Sequence, residues 1–194
     1  VGLEGVDDVV VRRSHGLPMV CVQVKHKKAS SATTNNLTFG SLVTEEGSGE
    51  GRGPNKSLLA SLAAGWKQVS REEEAIPEII LYTNRALGKN KTDAEYMGKP
   101  YKRLPLGEFW DKLSVKLESV LSYSDLAFAD SDLDMQWHEF ADSTKLEEPD
   151  IVPFLRNLTI RAGAPSLHDE EIKLMGRLRD EVCGGSEELA SRVF

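Results

Sequence analysis

An α/β fold, a mixed sheet flanked by helices with a mainly helical C-terminal extension, is predicted by three features of the sequence. Two β-branched runs, residues 8–13 (DVVVRR) and 19–26 (MVCVQVKH), lie close enough together to pair. A helical apolar stripe over residues 57–71 is followed by a short apolar run of strand type, EIILYTN, after Pro77. The second half of the chain returns repeatedly to helical spacing.

The segment between the first two runs, Ser14-His15-Gly16-Leu17-Pro18, has turn composition, so the runs are expected to form an antiparallel hairpin. With His15-Gly16 as a two-residue turn, Arg12 pairs with Met19, Val10 with Cys21, and Asp8 with Gln23. Opposed residues share a face and side chains alternate along a strand. Asp8, Gln23 and Lys25 therefore converge on one side, and Val9, Val11, Val22 and Val24 on the other. A slip of one residue replaces Asp8 by Asp7, which stays open as the alternative. Residues 37–43 (LTFGSLV) read as a third, weaker strand, and the Gly-rich acidic stretch 45–53 as a connection. Leu58, Leu62, Trp66 and Val69 share one helical stripe, with Leu59 beside it. A helix between two strands is the pattern of a crossover to a parallel neighbour.

Further on, Trp110, Leu113, Leu117, Val120 and Leu121 form an apolar stripe, and residues 134–140 a short helix. Residues 151–160 hold a helical start and a strand, LTI. Ser166-x-x-Asp169 resembles a capping box for a helix ending at Gly184-Gly185. The organisation expected is a core over residues 1–100 and a mainly helical extension over 101–194 packed on it. A start at Val1 and a last helix, 186–194, that runs out of chain point to a piece of a longer protein.

The 194 residues, 40% hydrophobic and 28% charged, are ordinary for a globular protein. No apolar run reaches the ~20 residues of a membrane helix. The first residues carry Glu4, Asp7 and Asp8, not a basic start and an apolar run, so no secretory signal is read. The two cysteines, Cys21 and Cys183, stand in unrelated contexts and make no ligand cluster, which fits a cytoplasmic setting. The net charge of −7 is unevenly spread. Residues 9–44 contain no Asp or Glu but include Arg12, Arg13, Lys25, Lys27 and Lys28, whereas acids dominate residues 108–150. A local basic patch attracts phosphates whatever the total charge.

The Asp8, Gln23 and Lys25 set has the chemistry that phosphodiester hydrolysis needs. Carboxylate and amide oxygens are hard ligands suited to Mg²⁺ or Mn²⁺. A nearby ammonium can position water and stabilise charge at phosphorus. Glu4, just before the hairpin, offers another carboxylate as ligand or base. The pattern GVDDVVV…VQVKHK resembles the PD-(D/E)xK nuclease superfamily, in the Mrr-like branch where Gln replaces the second acid. EGVDDVVV followed by VQVKH looks more closely like the double-stranded DNA endonuclease domain at the N-terminus of bacterial anti-phage effectors. These include effectors associated with cyclic-oligonucleotide synthases and NTPase-based immune sensors. Gly65-Trp66-Lys67 and ILYTNR extend the likeness.

The resemblance implies a metal-dependent endonuclease with Asp8, Gln23 and Lys25 as catalytic residues and Glu4 as a weaker one. Asp8, Gln23 and Glu4 would hold Mg²⁺ or Mn²⁺. Arg12, Arg13, Lys27 and Lys28 would meet the phosphates of double-stranded DNA. Activation would come from homo-oligomerisation through the parent protein, with no membrane involved. One departure from the superfamily pattern is visible: its core normally has a helix and a strand before the Asp strand, and only a few residues precede Asp8 here.

Three other motifs fail on inspection. Asp130-x-Asp132-x-Asp134 opens like a calcium loop but has Met135 at the glycine position and Ala141 at the final Glu position. GEGRGPNKS has Asn55 where a phosphate loop needs Gly. His138 has no partner at metal-ligand spacing. Trp66 and Trp110 sit on apolar stripes and read as core.

Overall fold

β1 (Val9–Val11) and β2 (Val20–Val24) pair antiparallel, with Val9 opposite Val22, Val10 opposite Cys21 and Val11 opposite Val20. This is the register read from the two valine-rich runs and the short turn sequence between them. The computed structural model describes residues 9–11, 19–24, 36–44, 57–72 and 76–163. After β2 the described chain runs through α1 (Phe39–Val43) and α2 (Leu58–Glu72) to β3 (Glu78–Tyr82). β3 returns parallel to β2, placing Gln23 beside Leu81 and Val24 beside Tyr82. β6 (Leu158–Arg161) then adds parallel to β3, and the sheet order is β1-β2-β3-β6.

The architecture is mixed α/β. α2 presents Leu59, Leu62, Ala63, Trp66 and Val69 to the core. Just before its first residue, Ser57 Oγ accepts the Ala60 N–H at 3.1 Å and so satisfies one of the free donors of the first turn. α3 (Leu106–Ser119) buries Leu106, Phe109, Leu113 and Leu117, and α4 (Ser131–Ser143) buries Leu133, Trp137 and Phe140. α5 (Glu148–Arg156) leads directly into β6. Its last residue, Arg156, donates to the carbonyls of Leu117, at 2.8 Å, and Val120, giving the end of α3 a cationic cap. One core runs from Met19 to Leu158, so the second half of the chain supplies both a strand of the main sheet and most of the covering helices.

Three segments differ from expectation. Residues 37–43 are not a strand. Leu37 makes only a single parallel bridge to Leu87, and the chain then turns into α1. The reason is a reciprocal cap: Thr38 Oγ1 accepts the Ser41 N–H at 3.2 Å, and Ser41 Oγ accepts the Thr38 N–H at 3.0 Å. Phe39, Leu42 and Val43 then fall on one buried side. Leu121 does not join the α3 stripe. The helix stops at Ser119, Val120 is extended, and Leu121 is 87% exposed.

The third difference is a second, two-stranded sheet, β4 (Thr92–Tyr96) and β5 (Lys99–Arg103). Met97 and Gly98 have φ of 51° and 73°, and positive φ at both central residues is what a tight type I′ hairpin turn requires. The hairpin is anchored on α4 by polar side chains. The Tyr96 hydroxyl donates to the Asp142 carboxylate and the Tyr101 hydroxyl to that of Glu139. Arg103 Nε donates to the same Glu139 carboxylate at 3.1 Å. At its exit, the buried Gln136 amide accepts the Leu104 N–H at 2.8 Å and donates to the Leu104 carbonyl at 3.1 Å.

Burial first, and then the partner carboxylate, raises both the Tyr101 and the Tyr96 phenol above the ordinary tyrosine range. A raised folded-state value keeps the neutral phenol. The stability it carries is therefore fully present below the ordinary range, around pH 10, and is lost as pH climbs above it. In an alkaline titration followed by phenolate absorbance, Tyr96 and Tyr101 should ionise only as the hairpin detaches. Tyr101→Phe should remove one of the late transitions. Ionisation of both within the ordinary range, with the fold intact, would contradict the anchoring.

Candidate functional site

Gln23 lies next to the C-terminal end of β2, with Leu81 of β3 beside it. It is 2% exposed and shares its face with Cys21, Ile79, Leu81 and Leu158, all buried. The other face is more open: Val22, Ile80 and Tyr82 are half-buried, and Thr159 and Arg161 are exposed. This reverses the simple division into a polar exposed face and a valine core face. Gln23 stands on the face that carries the buried core. A buried amide must be hydrogen-bonded to be tolerated, and Gln23 does have a partner.

Asp8, Asp7, Glu4 and Lys25 lie outside the described residues, as do Arg12, Arg13, Lys27 and Lys28. The described pairs of β1 and β2 follow the register in which Asp8 was expected opposite Gln23. Lys25 is the next residue in the chain after β2.

Because β2, β3 and β6 are parallel, their C-terminal ends lie on one edge of the sheet. That edge also carries residues which sequence reasoning did not place in a site. Thr83, fully buried just after β3, donates its N–H to the Arg161 carbonyl at 2.9 Å. Its Oγ1 accepts the Arg85 N–H at 3.2 Å. The Arg85 guanidinium donates to the Asn36 carbonyl, and the Arg85 carbonyl accepts the Gly163 N–H at 2.8 Å. The chain leaving β3 is thus fixed to the chain entering α1 and to the end of β6. ILYTNR was singled out in the sequence, but only by likeness. Nothing in the pattern around Arg161 marked it.

The Asp130-x-Asp132-x-Asp134 motif and His138 resolve into ordinary structure, whereas GEGRGPNKS, apart from Ser57, lies outside the described residues. Asp130 caps α4, its Oδ1 accepting the Asp132 and Leu133 N–H groups at 3.0 and 2.9 Å. Asp134 accepts the Phe128 N–H at 2.9 Å. His138 sits between Asp134, 3.5 Å from Nε2, and the Tyr123 hydroxyl, 3.1 Å from Nδ1. Trp66 is buried against Phe154, and Trp110 is packed on the core beside Phe140. Among the described residues no three His, Cys, Asp or Glu side chains are grouped to hold a metal ion, and no helix is long and apolar enough to cross a membrane. No family model matches the chain, and no curated protein or solved structure matches it either.

Proposed function

We propose that the chain is a metal-dependent endonuclease acting on double-stranded DNA, with a PD-(D/E)xK-like core, and that it serves as the effector domain of a cytoplasmic anti-phage protein. The observation that carries this reading is the β1–β2 pairing, Val9 opposite Val22 and Val10 opposite Cys21, with Gln23 the next residue of β2, close to the edge where three parallel strands terminate. Ligands in α/β sheets characteristically bind beyond the carboxyl ends of the strands. A hairpin followed by a helical connection to a parallel strand also suits the proposed core.

The proposed donors, Asp8, Gln23 and Glu4, offer oxygen only, which fits Mg²⁺ or Mn²⁺ and not a thiolate-seeking metal. When bound, the metal supplies polarisation of the phosphoryl oxygen and a more acidic water. The chain's own groups do the remaining work. The Gln23 amide, held rigidly by burial, presents a neutral oxygen of fixed position. Lys25 places a positive charge against the phosphoryl group and the attacking water. Arg12, Arg13, Lys27 and Lys28 bind backbone phosphates and set the duplex in register. One such set cuts one strand, so a double-strand break needs two copies. Assembly through the parent protein raises their effective concentration.

Supercoiled plasmid incubated with the chain and Mg²⁺ or Mn²⁺ should be nicked and then linearised. Chelation should stop the reaction and added metal restore it. Cleavage that persists through thorough chelation, or no cleavage in either metal by the assembled parent protein, would overturn the proposal. The burial of Gln23 favours one second reading, a nuclease-like fold that holds DNA without cutting it. Duplex binding without cleavage is its signature.

A further inference from the structure

We propose that the β4–β5 hairpin is a second duplex-contacting element, a wing that lays Lys89, Lys91 and Lys99 on backbone phosphates with Met97 at its tip. The inference rests on the reading of the chain as a DNA-acting protein, and it adds a surface that lies outside the β1–β2 region. Residues 88–103 hold five cations, Lys89, Lys91, Lys99, Lys102 and Arg103, against the two carboxylates Asp93 and Glu95. That segment is basic within a chain whose formal net charge is −7.

The cations are not equivalent. Arg103 is spent on Glu139. Lys102 lies opposite Asp93 across the hairpin, on the same face, which offsets its charge. Lys89, Lys91 and Lys99 are exposed and form no ion pair among the described residues. These three carry the proposal.

Shape and placement agree with charge. The tight Met97-Gly98 turn and the anchoring of Tyr96, Tyr101 and Arg103 on α4 fix the hairpin, so little ordering entropy is lost when its tip meets a partner. Met97 is 80% exposed, an apolar side chain at the end of a basic ribbon. Apolar side chains at such tips can wedge into a groove while neighbouring lysines hold the phosphates. The chain enters the hairpin from the C-terminal end of β3, the edge that also carries Gln23.

The test uses the full chain and a short fluorescein-labelled DNA duplex in chelator, so that binding is read without cleavage. The Lys89→Ala, Lys91→Ala, Lys99→Ala triple variant should bind about tenfold or more weakly at moderate salt. The slope of log affinity against log salt should flatten by about 2 to 3, since each lost phosphate contact removes about 0.9. Met97→Ser should weaken binding without changing the slope, and Lys112→Ala, on α3, should change neither. If the wild type binds and the triple variant binds equally with the same slope, the wing is wrong, whatever the plasmid assay shows. If binding depends on the wing but plasmid is never cut, the wing stands and the nuclease reading fails. Tighter binding to polyglutamate than to duplex would point to an acidic protein partner and overturn the proposal.

Discussion

Lys25→Ala is expected to lower plasmid cleavage by at least about 10²–10³-fold, the usual loss when a group that stabilises transition-state charge is removed. Stability should change far less than activity, because the proposed role of Lys25 is to stabilise charge at phosphorus. Cleavage rate and urea midpoint, measured on the same preparation, separate the two. A variant that keeps full activity removes Lys25 from the mechanism. Asp8→Ala should match it through loss of a metal ligand. If Asp7→Ala is the more damaging change, the metal-binding acid is one residue earlier than the β1–β2 register suggests.

The burial of Gln23 changes how the third member of the set must be tested. Gln23→Ala empties a buried polar position and leaves a partner unsatisfied, a loss of about 1–3 kcal/mol before any catalytic effect. Lost activity in that variant does not by itself identify a ligand. Gln23→Glu is the better probe. It places a carboxylate where water is scarce, which is unfavourable for the charged form unless a cation is present. Mg²⁺ should therefore raise the melting temperature of Gln23→Glu more than that of the wild type. No added effect of Mg²⁺ would argue that no metal binds beside residue 23.

The parts of this fold that were legible in the sequence are those where hydropathy and burial coincide. Two valine-rich runs around a Gly-containing turn specified the β1–β2 register, and the spacing of Leu62, Trp66 and Val69 specified α2. α1 was hidden because its five residues, FGSLV, are too few to show a period, and its signal is the Thr38–Ser41 cap. The β4–β5 hairpin was hidden for a different reason. Its inward face uses tyrosine hydroxyls and Arg103 against carboxylates of α4, so strict apolar alternation is absent. Gln23 defeats the same rule in reverse, being a polar side chain on the buried face. At the candidate site, chemical types and spacing were legible, but Thr83, Arg85 and Arg161 join that edge only through the parallel pairing of strands far apart in sequence.

Phe140→Ala should be among the most destabilising single changes in the described fold, at about 3–5 kcal/mol. Phe140 is fully buried on α4 and touches three aromatic rings. Its centroid lies 5.2 Å from that of Phe109 and 6.1 Å from that of Trp110, both on α3, and 5.7 Å from that of Phe39 on α1. Phe39 and Phe109 themselves meet edge to face at 5.2 Å and 86°. Such pairs add about 0.5–1.5 kcal/mol each beyond the area they bury. The cluster ties two helices of the second half to α1, the helix that lies between β2 and α2. Its loss should therefore loosen the attachment of the second half to the chain around the candidate site. Against a typical domain stability of about 5–15 kcal/mol, the change consumes a large share. Urea unfolding should show a much lower midpoint with the slope unchanged. Leu121→Ala, at a leucine that the sequence placed in the same apolar system but that is 87% exposed, should stay within about 0.5 kcal/mol of the wild type. If Phe140→Ala were as mild as Leu121→Ala, the aromatic cluster would not be what joins α1, α3 and α4.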